Sequence, residues 1–246
     1  MRIRWQIFPV PDSSMVRNTA HTLLVLFDID GTLVRRAGIH HREALIEAVR
    51  RHTGLETTTD GIPLHGMLDP DILRRMMRNA GAPEAVIRRS LPAIITSAQA
   101  IYVRRCPDLR RNVCPGVRLL LRRLRRTGVP LGLVTGNLTR IGWKKVERAG
   151  LRRYFRFGAF GEMHPDRAGL VRLAVRMARA RGWISRTGQV WVIGDSPADV
   201  RAARAAGVHV VAVLTGVCSR TQLAAESPDI LVDDLRALRP EQLLRP

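Results

Sequence analysis

A short apolar run followed by an amphipathic helical pattern recurs along this chain, and that alternation leaves few architectures open to it. The runs Thr22–Phe27, Val129–Thr135, Gln189–Gly194 and Val208–Leu214 have the length and β-branched content of buried parallel strands, with a weaker one at Asp229–Val232. Helical spacing follows at Gly116–Arg126, Thr139–Ala149, Gly169–Ala180 and Pro197–Ala206. Together they predict an α/β fold, a doubly wound parallel sheet of Rossmann-like order. One interval breaks the rhythm. About a hundred residues separate the first two strands, far more than one crossover helix needs. His41–Thr53, Asp69–Asn79 and Pro83–Arg104 read as helix within it. Residues 36–112 are therefore expected to be an inserted helical cap on a core of 21–35 and 113–246, with stems near Arg35–Gly38 and Pro107–Pro115.

The first 20 residues are polar and proline-interrupted and read as a loose extension, and Met15 is an alternative start. No run approaches the roughly 18 apolar residues of a membrane span, and the N-terminus lacks the apolar block of a signal peptide. Cys106, Cys114 and Cys218 are odd in number and lack metal-site spacing, so reduced thiols in a cytoplasmic protein are expected, a Cys106–Cys114 bridge being the lesser option. Trp5, Trp143, Trp183 and Trp191 form no stripe and read as core packing.

The charge is lopsided. Lysine plus arginine number 41 against 21 acids, for a formal +20, and all but Lys144 and Lys145 are arginine. Such a field favours anionic partners, from phosphorylated metabolites to nucleic acid. The arginines are nonetheless spread in pairs such as Arg35–Arg36, Arg74–Arg75 and Arg122–Arg123, without a basic block. Solvated helix faces explain that pattern better than a nucleic-acid surface, so a nucleic-acid partner is possible but not favoured.

The chemistry sits at strand ends. Asp28 and Asp30 close the first strand in Asp28-Ile-Asp30-Gly31-Thr32-Leu33. Residues two apart along a strand face the same side, so both carboxylates can line one crevice, and their repulsion calls for a cation or a shared proton. The second strand ends in Thr135-Gly136-Asn137, where a hydroxyl and free N–H groups ahead of a helix suit a phosphate oxygen; a helix cap would look the same. The third ends in Gly194-Asp195-Ser196-Pro197-Ala198-Asp199, whose acids could alternatively be an N-cap and a first-turn residue. A carboxylate pair, a hydroxyl and a second carboxylate pair in that order leave little room for the local explanations.

This pattern resembles the haloacid dehalogenase superfamily, specifically its members with a helical cap after the first strand. The resemblance spans about residues 22–235, and Gly66-Met-Leu-Asp69-Pro-Asp-Ile72 adds a weaker likeness to phosphoglycolate phosphatase-like members. It implies a Mg²⁺-dependent phosphatase acting on a small phosphorylated metabolite. Asp28 would be the nucleophile and form an aspartyl-phosphate. Asp30 would protonate the leaving group and then activate water, which requires its pKa to lie above that of its metal-bound neighbour. Asp28, the Asp30 backbone carbonyl and Asp195 would hold the metal, with Asp199 behind them. Thr135, Gly136 and Asn137 would bind the phosphoryl group. A phosphomutase, a 2-haloacid dehalogenase and an arginine-rich nucleic-acid-binding protein on the same fold are the rivals.

One departure stands out. The family places a lysine near the helix before the third strand, and here His164-Pro-Asp166-Arg167-Ala-Gly169 contains none. Arg167 is the expected substitute, both as a catalytic cation and as a phosphate ligand. Lys144 and Lys145 are runners-up, for which a solvated helix face is the expectation. His40 and His41 open the cap and are expected to be solvated, with a substrate contact as the sharper alternative.

Overall fold

The computed structural model describes residues 21–35 and 39–243. The expected extension over 1–20, with Trp5 and Met15, and the stem positions 36–38 lie outside the described residues.

Six strands of the described residues form one parallel sheet: β1 (His21–Phe27), β2 (Leu131–Val134), β3 (Phe157–Ala159), β4 (Ile184–Gly194), β5 (His209–Val213) and β6 (Ile230–Val232). Their order is β3-β2-β1-β4-β5-β6. The sequence of β1 explains its central place. Leu23, Val25 and Phe27 point into one core and Leu24 and Leu26 into the other, all essentially inaccessible to water. In β4, Trp191 and Ile193 likewise join the first core while Val190 and Val192 join the second. A residue that must be apolar on both faces excludes alternation, so these strands read as continuous apolar runs.

Topology then creates a crevice. From β1 the chain builds outward through β2 and β3, and returns to β1's other side for β4. Ligands bind at such a switch point, outside the carboxyl ends of the strands. Register decides what meets there. Phe27 pairs with Leu133 of β2 and Ile193 of β4, so one residue on lie Asp28, Val134 and Gly194, and two residues on lie Thr135 and Asp195.

Among the described residues eight α-helices accompany the sheet: α1 (His40–Thr53), α2 (Asp69–Asn79), α3 (Glu84–Arg105), α4 (Val117–Arg126), α5 (Thr139–Arg148), α6 (Arg167–Ala180), α7 (Pro197–Ala205) and α8 (Arg220–Ala225). Helices α1–α3 fill the long interval between β1 and β2 as a helical cap. Ala44, Leu45, Ala48 and Val49 of α1 form one stripe, which packs with Leu73, Met76 and Met77 of α2 and Ile94, Ala98 and Ile101 of α3.

Two elements have no counterpart in the sequence reading, β3 and α8. At three and six residues they are too short to show a period. Strand β4 also begins five residues earlier than its apolar run, because Ser185–Gly188 lacks apolar residues and the pairing with β1 changes register there. Of the tryptophans, Trp191 is buried, whereas Trp143 and Trp183 are only partly so. Cys106, Cys114 and Cys218 are free thiols.

Candidate active site

Asp28 follows the last residue of β1 and is 6 % exposed at the floor of a cavity of about 360 Å³ between core and cap. Its Oδ1 lies 3.0 Å from Arg167 Nη2. Arg167 is the first residue of α6, whose start is fixed by Asp166 accepting a hydrogen bond from the Gly169 N–H at 2.7 Å. The same guanidinium donates through Nε to Asp199 Oδ1 at 2.9 Å and through Nη2 to that oxygen as well. Arg167 therefore bridges two carboxylates from the helix before β4, where the sequence expected its charge.

Asp199 is held from its other side. Its Oδ2 accepts from the Ser196 N–H at 3.1 Å and the Ser196 hydroxyl at 2.6 Å, in a capping box that starts α7. Of the two local roles weighed for this segment, the N-cap falls to Ser196 rather than Asp195, and the first-turn role applies to Asp199 on top of its contact with Arg167. Asp195 Oδ1 accepts a hydrogen bond from Thr32 Oγ1 at 3.1 Å. Backbone presses close around its other oxygen. A Cβ at Gly31 would fall 2.2 Å from Asp195 Oδ2, and one at Gly216 would fall 1.8 Å from it. Gly31 has in addition a φ of +82, which few other residues adopt.

Asp28, Asp195 and Asp199 are all buried, and one oxygen from each lies within 4.8 Å of the others. One guanidinium cannot neutralise three carboxylates. Burial, and then repulsion from Asp199 and Asp30 acting against the attraction of Arg167, pushes Asp28 up to about 7. Burial followed by the charges of Asp28 and Asp199 raises Asp195 well above the ordinary carboxylate range. A hard divalent cation fits that deficit, since every donor is an oxygen and none is histidine or cysteine.

Asp30 belongs to a second charge system. Lys145 Nζ lies 2.8 and 2.6 Å from its two oxygens, and Asn137 Nδ2 donates to Oδ2 at 2.8 Å. Burial works to raise the Asp30 carboxyl, but the charge and hydrogen bonds of Lys145, with the hydrogen bond from Asn137, outweigh it and hold Asp30 below its ordinary value. Asp30 is thus shifted in the direction opposite to Asp28. The cause is the lysine, which contradicts its expected place on a solvated face: Lys145 is 1 % exposed. Lys144 does lie outward, 3.1 Å from Glu147.

The segment after β2 is shared between phosphate site and cap. Thr135 is fully buried and lines the same cavity as Asp28, where its hydroxyl works to lower the Asp28 carboxyl. The Asn137 amide donates to Thr135 Oγ1 at 2.7 Å and accepts from Lys145 at 2.7 Å through Oδ1, so its side chain is committed to neighbours. Gly136 is a site of close approach, where a Cβ would lie 2.2 Å from the Met67 carbonyl oxygen of the cap. The start of α5 is capped from a distance. Asp69 Oδ2 accepts from the Leu138 N–H at 2.8 Å, Glu162 from Thr139 at 2.9 Å and Gln99 Oε1 from Arg140 at 2.8 Å. Asp69 and Gln99 come from cap helices. His41, from α1, reaches Asp69 Oδ2 through Nε2 at 3.0 Å and Lys145 through Nδ1 at 3.2 Å, while His40 lies near Glu43 at the surface.

Sequence reasoning placed Asp28, Asp30, Thr135, Arg167, Asp195 and Asp199 around one crevice, and the structure brings all six there. It held Lys145 only as a runner-up on a solvated face, quoted Thr32 and Asp69 within motifs without giving them a role, and missed Gly216. A signal existed for Lys145: Leu138, Ile141, Lys145 and Ala149 recur at helical spacing, and that stripe is buried.

Comparison with known proteins agrees with this geometry. The family model for haloacid dehalogenase-like hydrolases matches residues 22–207. A phosphoglycolate phosphatase of Pseudomonas syringae pv. tomato is 32% identical over 230 residues, covering 88% of this chain and 78% of its own. One from Pseudomonas fluorescens is 30% identical with the same coverage. Among solved structures, CbbY of Rhodobacter sphaeroides in complex with phosphate has a TM-score of 0.66 at 23% identity, covering 87% of this chain and 95% of its own. A β-phosphoglucomutase of Clostridium difficile reaches 0.64 at 17% identity, covering 91% and 95%. The structural likenesses speak for the fold, and the sequence matches go further: the chain belongs to the haloacid dehalogenase-like hydrolases and is similar to the phosphoglycolate phosphatases among them.

Proposed function

We propose that this hydrolase is a phosphatase that cleaves small phosphate monoesters through an aspartyl-phosphate on Asp28. The observation that carries the reading is the separate compensation of two neighbouring carboxylates, Asp28 by Arg167 and Asp30 by Lys145. Attack needs one carboxylate free to bond phosphorus and another free to exchange a proton, and a shared counter-ion would not keep them apart. A carboxylate oxygen of Asp28 attacks phosphorus as the ester P–O bond breaks, and Asp30 gives its proton to the departing oxygen. Asp30 then takes a proton from water as that water attacks the phosphorus of the aspartyl-phosphate, releasing inorganic phosphate and restoring both carboxyl groups. Lys145 favours the ionised form of Asp30, and the charge of an arriving phosphate dianion acts the other way, raising its proton affinity.

Asp28, Asp195 and the Asp30 carbonyl would hold Mg²⁺, with Asp199 behind them tying Arg167 to the site. When bound, the ion supplies positive charge that offsets repulsion between nucleophile and phosphate. Arg167 and Thr135, with the N–H groups of Gly136 and Asn137, are assigned to the transferring phosphoryl group. The cap is assigned to residues 36–112, where it excludes bulk water from the intermediate. Among the described residues no helix is long and apolar enough to cross a membrane. A cytoplasmic location belongs to the same reading, supported by three free thiols. A carboxylate at position 30 disfavours the dehalogenase alternative, because a halide leaves without a proton.

The test is a panel of phosphate monoesters with Mg²⁺, run on the parent and on Asp28→Asn. Ester hydrolysis lost at least a thousandfold in the variant, with folding retained, is the expected result. Chloride release from 2-haloacids outpacing phosphate release from every ester, or an Asp28→Asn variant within tenfold of the parent, would overturn the reading.

A further inference from the structure

Lys145 has three N–H donors and three partners: Asp30, Asn137 Oδ1 and His41 Nδ1. The third partner fixes a direction. An ammonium group can only donate, so Nδ1 of His41 must accept, and the ring proton then sits on Nε2. Asp69 Oδ2, 3.0 Å from Nε2, is the acceptor that this tautomer requires. The result is one directed chain from the cap carboxylate Asp69 through His41 and Lys145 to Asp30. Tyr102 packs edge-on to the imidazole at 5.6 Å, and the Lys145 ammonium lies 5.9 Å from the centre of the Tyr102 ring.

The far end of that chain is anchored in the core as well as in the cap. Asp69 is 3 % exposed; its Oδ2 accepts from the Leu138 N–H, and its own N–H donates to the Gly136 carbonyl at 2.8 Å. Those are residues directly after Thr135. Helix α2 therefore starts where the cap docks on the phosphate loop, and the same carboxylate that makes the dock orients His41. A carboxylate serving only as a helix cap for α5 needs no histidine.

We propose that Asp69 is a positioning residue for the leaving-group acid, acting through His41 and Lys145 on Asp30, so that docking of the cap sets Asp30 in place for proton transfer. This rests on the phosphatase reading above. With Asp69 removed, the His41 ring can turn over, Lys145 loses one of its three acceptors, and the carboxyl group of Asp30 is no longer held toward the departing oxygen. The consequence depends on the leaving group. An alkyl ester leaves as a strongly basic alkoxide that must be protonated, whereas p-nitrophenolate leaves unaided.

The experiment compares kcat/KM for an alkyl phosphate monoester and for p-nitrophenyl phosphate in the parent, Asp69→Asn, His41→Asn and the double variant. The ratio kcat/KM reports steps up to leaving-group departure, so dephosphorylation does not obscure it. The expected result is an alkyl-to-aryl ratio at least tenfold lower in each single variant, with the double variant no worse than the poorer single one. A purely structural role would lower both substrates in parallel, and parallel losses, or additive losses in the double variant, overturn the proposal. Should Asp69→Asn fail to fold, His41→Asn alone decides by the same ratio. A parent hydrolysing neither ester would instead sink the phosphatase reading itself.

Discussion

Lys145 Nζ and the carboxylate of Asp30 meet at 2.6 Å although 115 residues separate them in the chain. The lysine comes from α5, behind the phosphate loop, and the aspartate from the turn after β1. Their contact divides the site into two charge systems, with Arg167, Asp28 and Asp199 on one side and Lys145, Asp30 and Asn137 on the other. The two basic residues are therefore complements, serving different carboxylates.

Removing the lysine should show this. Lys145→Ala leaves Asp30 and the Asn137 carbonyl without their common donor. The Asp30 side chain retains 36% exposure, so solvent tempers the cost, which we set at roughly 1–3 kcal/mol. Activity toward alkyl esters is expected to fall about 10²-fold, while Lys144→Ala changes it by less than threefold. Steady-state kinetics with denaturant melts distinguish the two effects. A Lys145→Ala enzyme as active and stable as the parent would show that the contact serves nothing.

Arg167 should behave differently. Arg167→Ala strands Asp28 and Asp199 in a buried site and removes a cation facing the phosphate. A loss of about 10² or more in kcat/KM is expected, with partial recovery in Arg167→Lys, which restores charge but cannot bridge both carboxylates. The loss should be similar for alkyl and aryl esters, because this charge acts on phosphoryl transfer rather than on the leaving group. A loss confined to alkyl esters would contradict the division.

Without divalent metal, stability should decline as pH rises toward neutrality. Burial raises Asp28 from 3.8 to about 7 in the folded protein, so between these values the folded state binds more protons than the unfolded one. That contribution is fully present below the unfolded pKa and is lost as pH climbs through the folded one. The slope from this group is at most about 1.4 kcal/mol per pH unit. Thermal melts in chelator from pH 4 to 8 should show the decline, superimposed on other titrations, and Asp28→Asn should flatten it. Added Mg²⁺ should raise Tm more at pH 8 than at pH 5. Equal metal stabilisation at both pH values would count against the buried carboxylate cluster as the binding site.

Gly216 offers a probe that removes no ionisable group. The Cβ of Gly216→Ala would lie 1.8 Å from Asp195 Oδ2, so that carboxylate must move. The half-saturating Mg²⁺ concentration, read from thermal shift, is expected to rise at least tenfold while the metal-free protein stays folded. An unchanged metal titration would mean that Asp195 is not a ligand.

Much of this was legible in the sequence. Strands buried on both faces must be apolar throughout, so β1, β4 and β5 announced themselves, and a crossover too long for one helix announced the cap. Strand ends at a doubly wound sheet's switch point converge by topology, which let Asp28, Asp30, Thr135 and Asp195 be grouped without coordinates. Arg167 could be placed because it opens the helix before β4 in a segment with no other cation of its kind. The three-residue β3 was not legible, since its strand character comes from pairing with β2 and not from its own pattern.

Lys145 was decided by tertiary structure. A lysine in an amphipathic helix is ordinarily solvated, and one-dimensional periodicity does not say whether a buried carboxylate waits opposite its stripe. Only the packing of α5 against the turn after β1 places Asp30 there, and only the cap brings His41 and Asp69 to complete the lysine's partners. The strand-end carboxylates were readable because topology alone fixes where strands end. Which cation each carboxylate meets depends on side chains from helices far apart in sequence, and that was settled by folding.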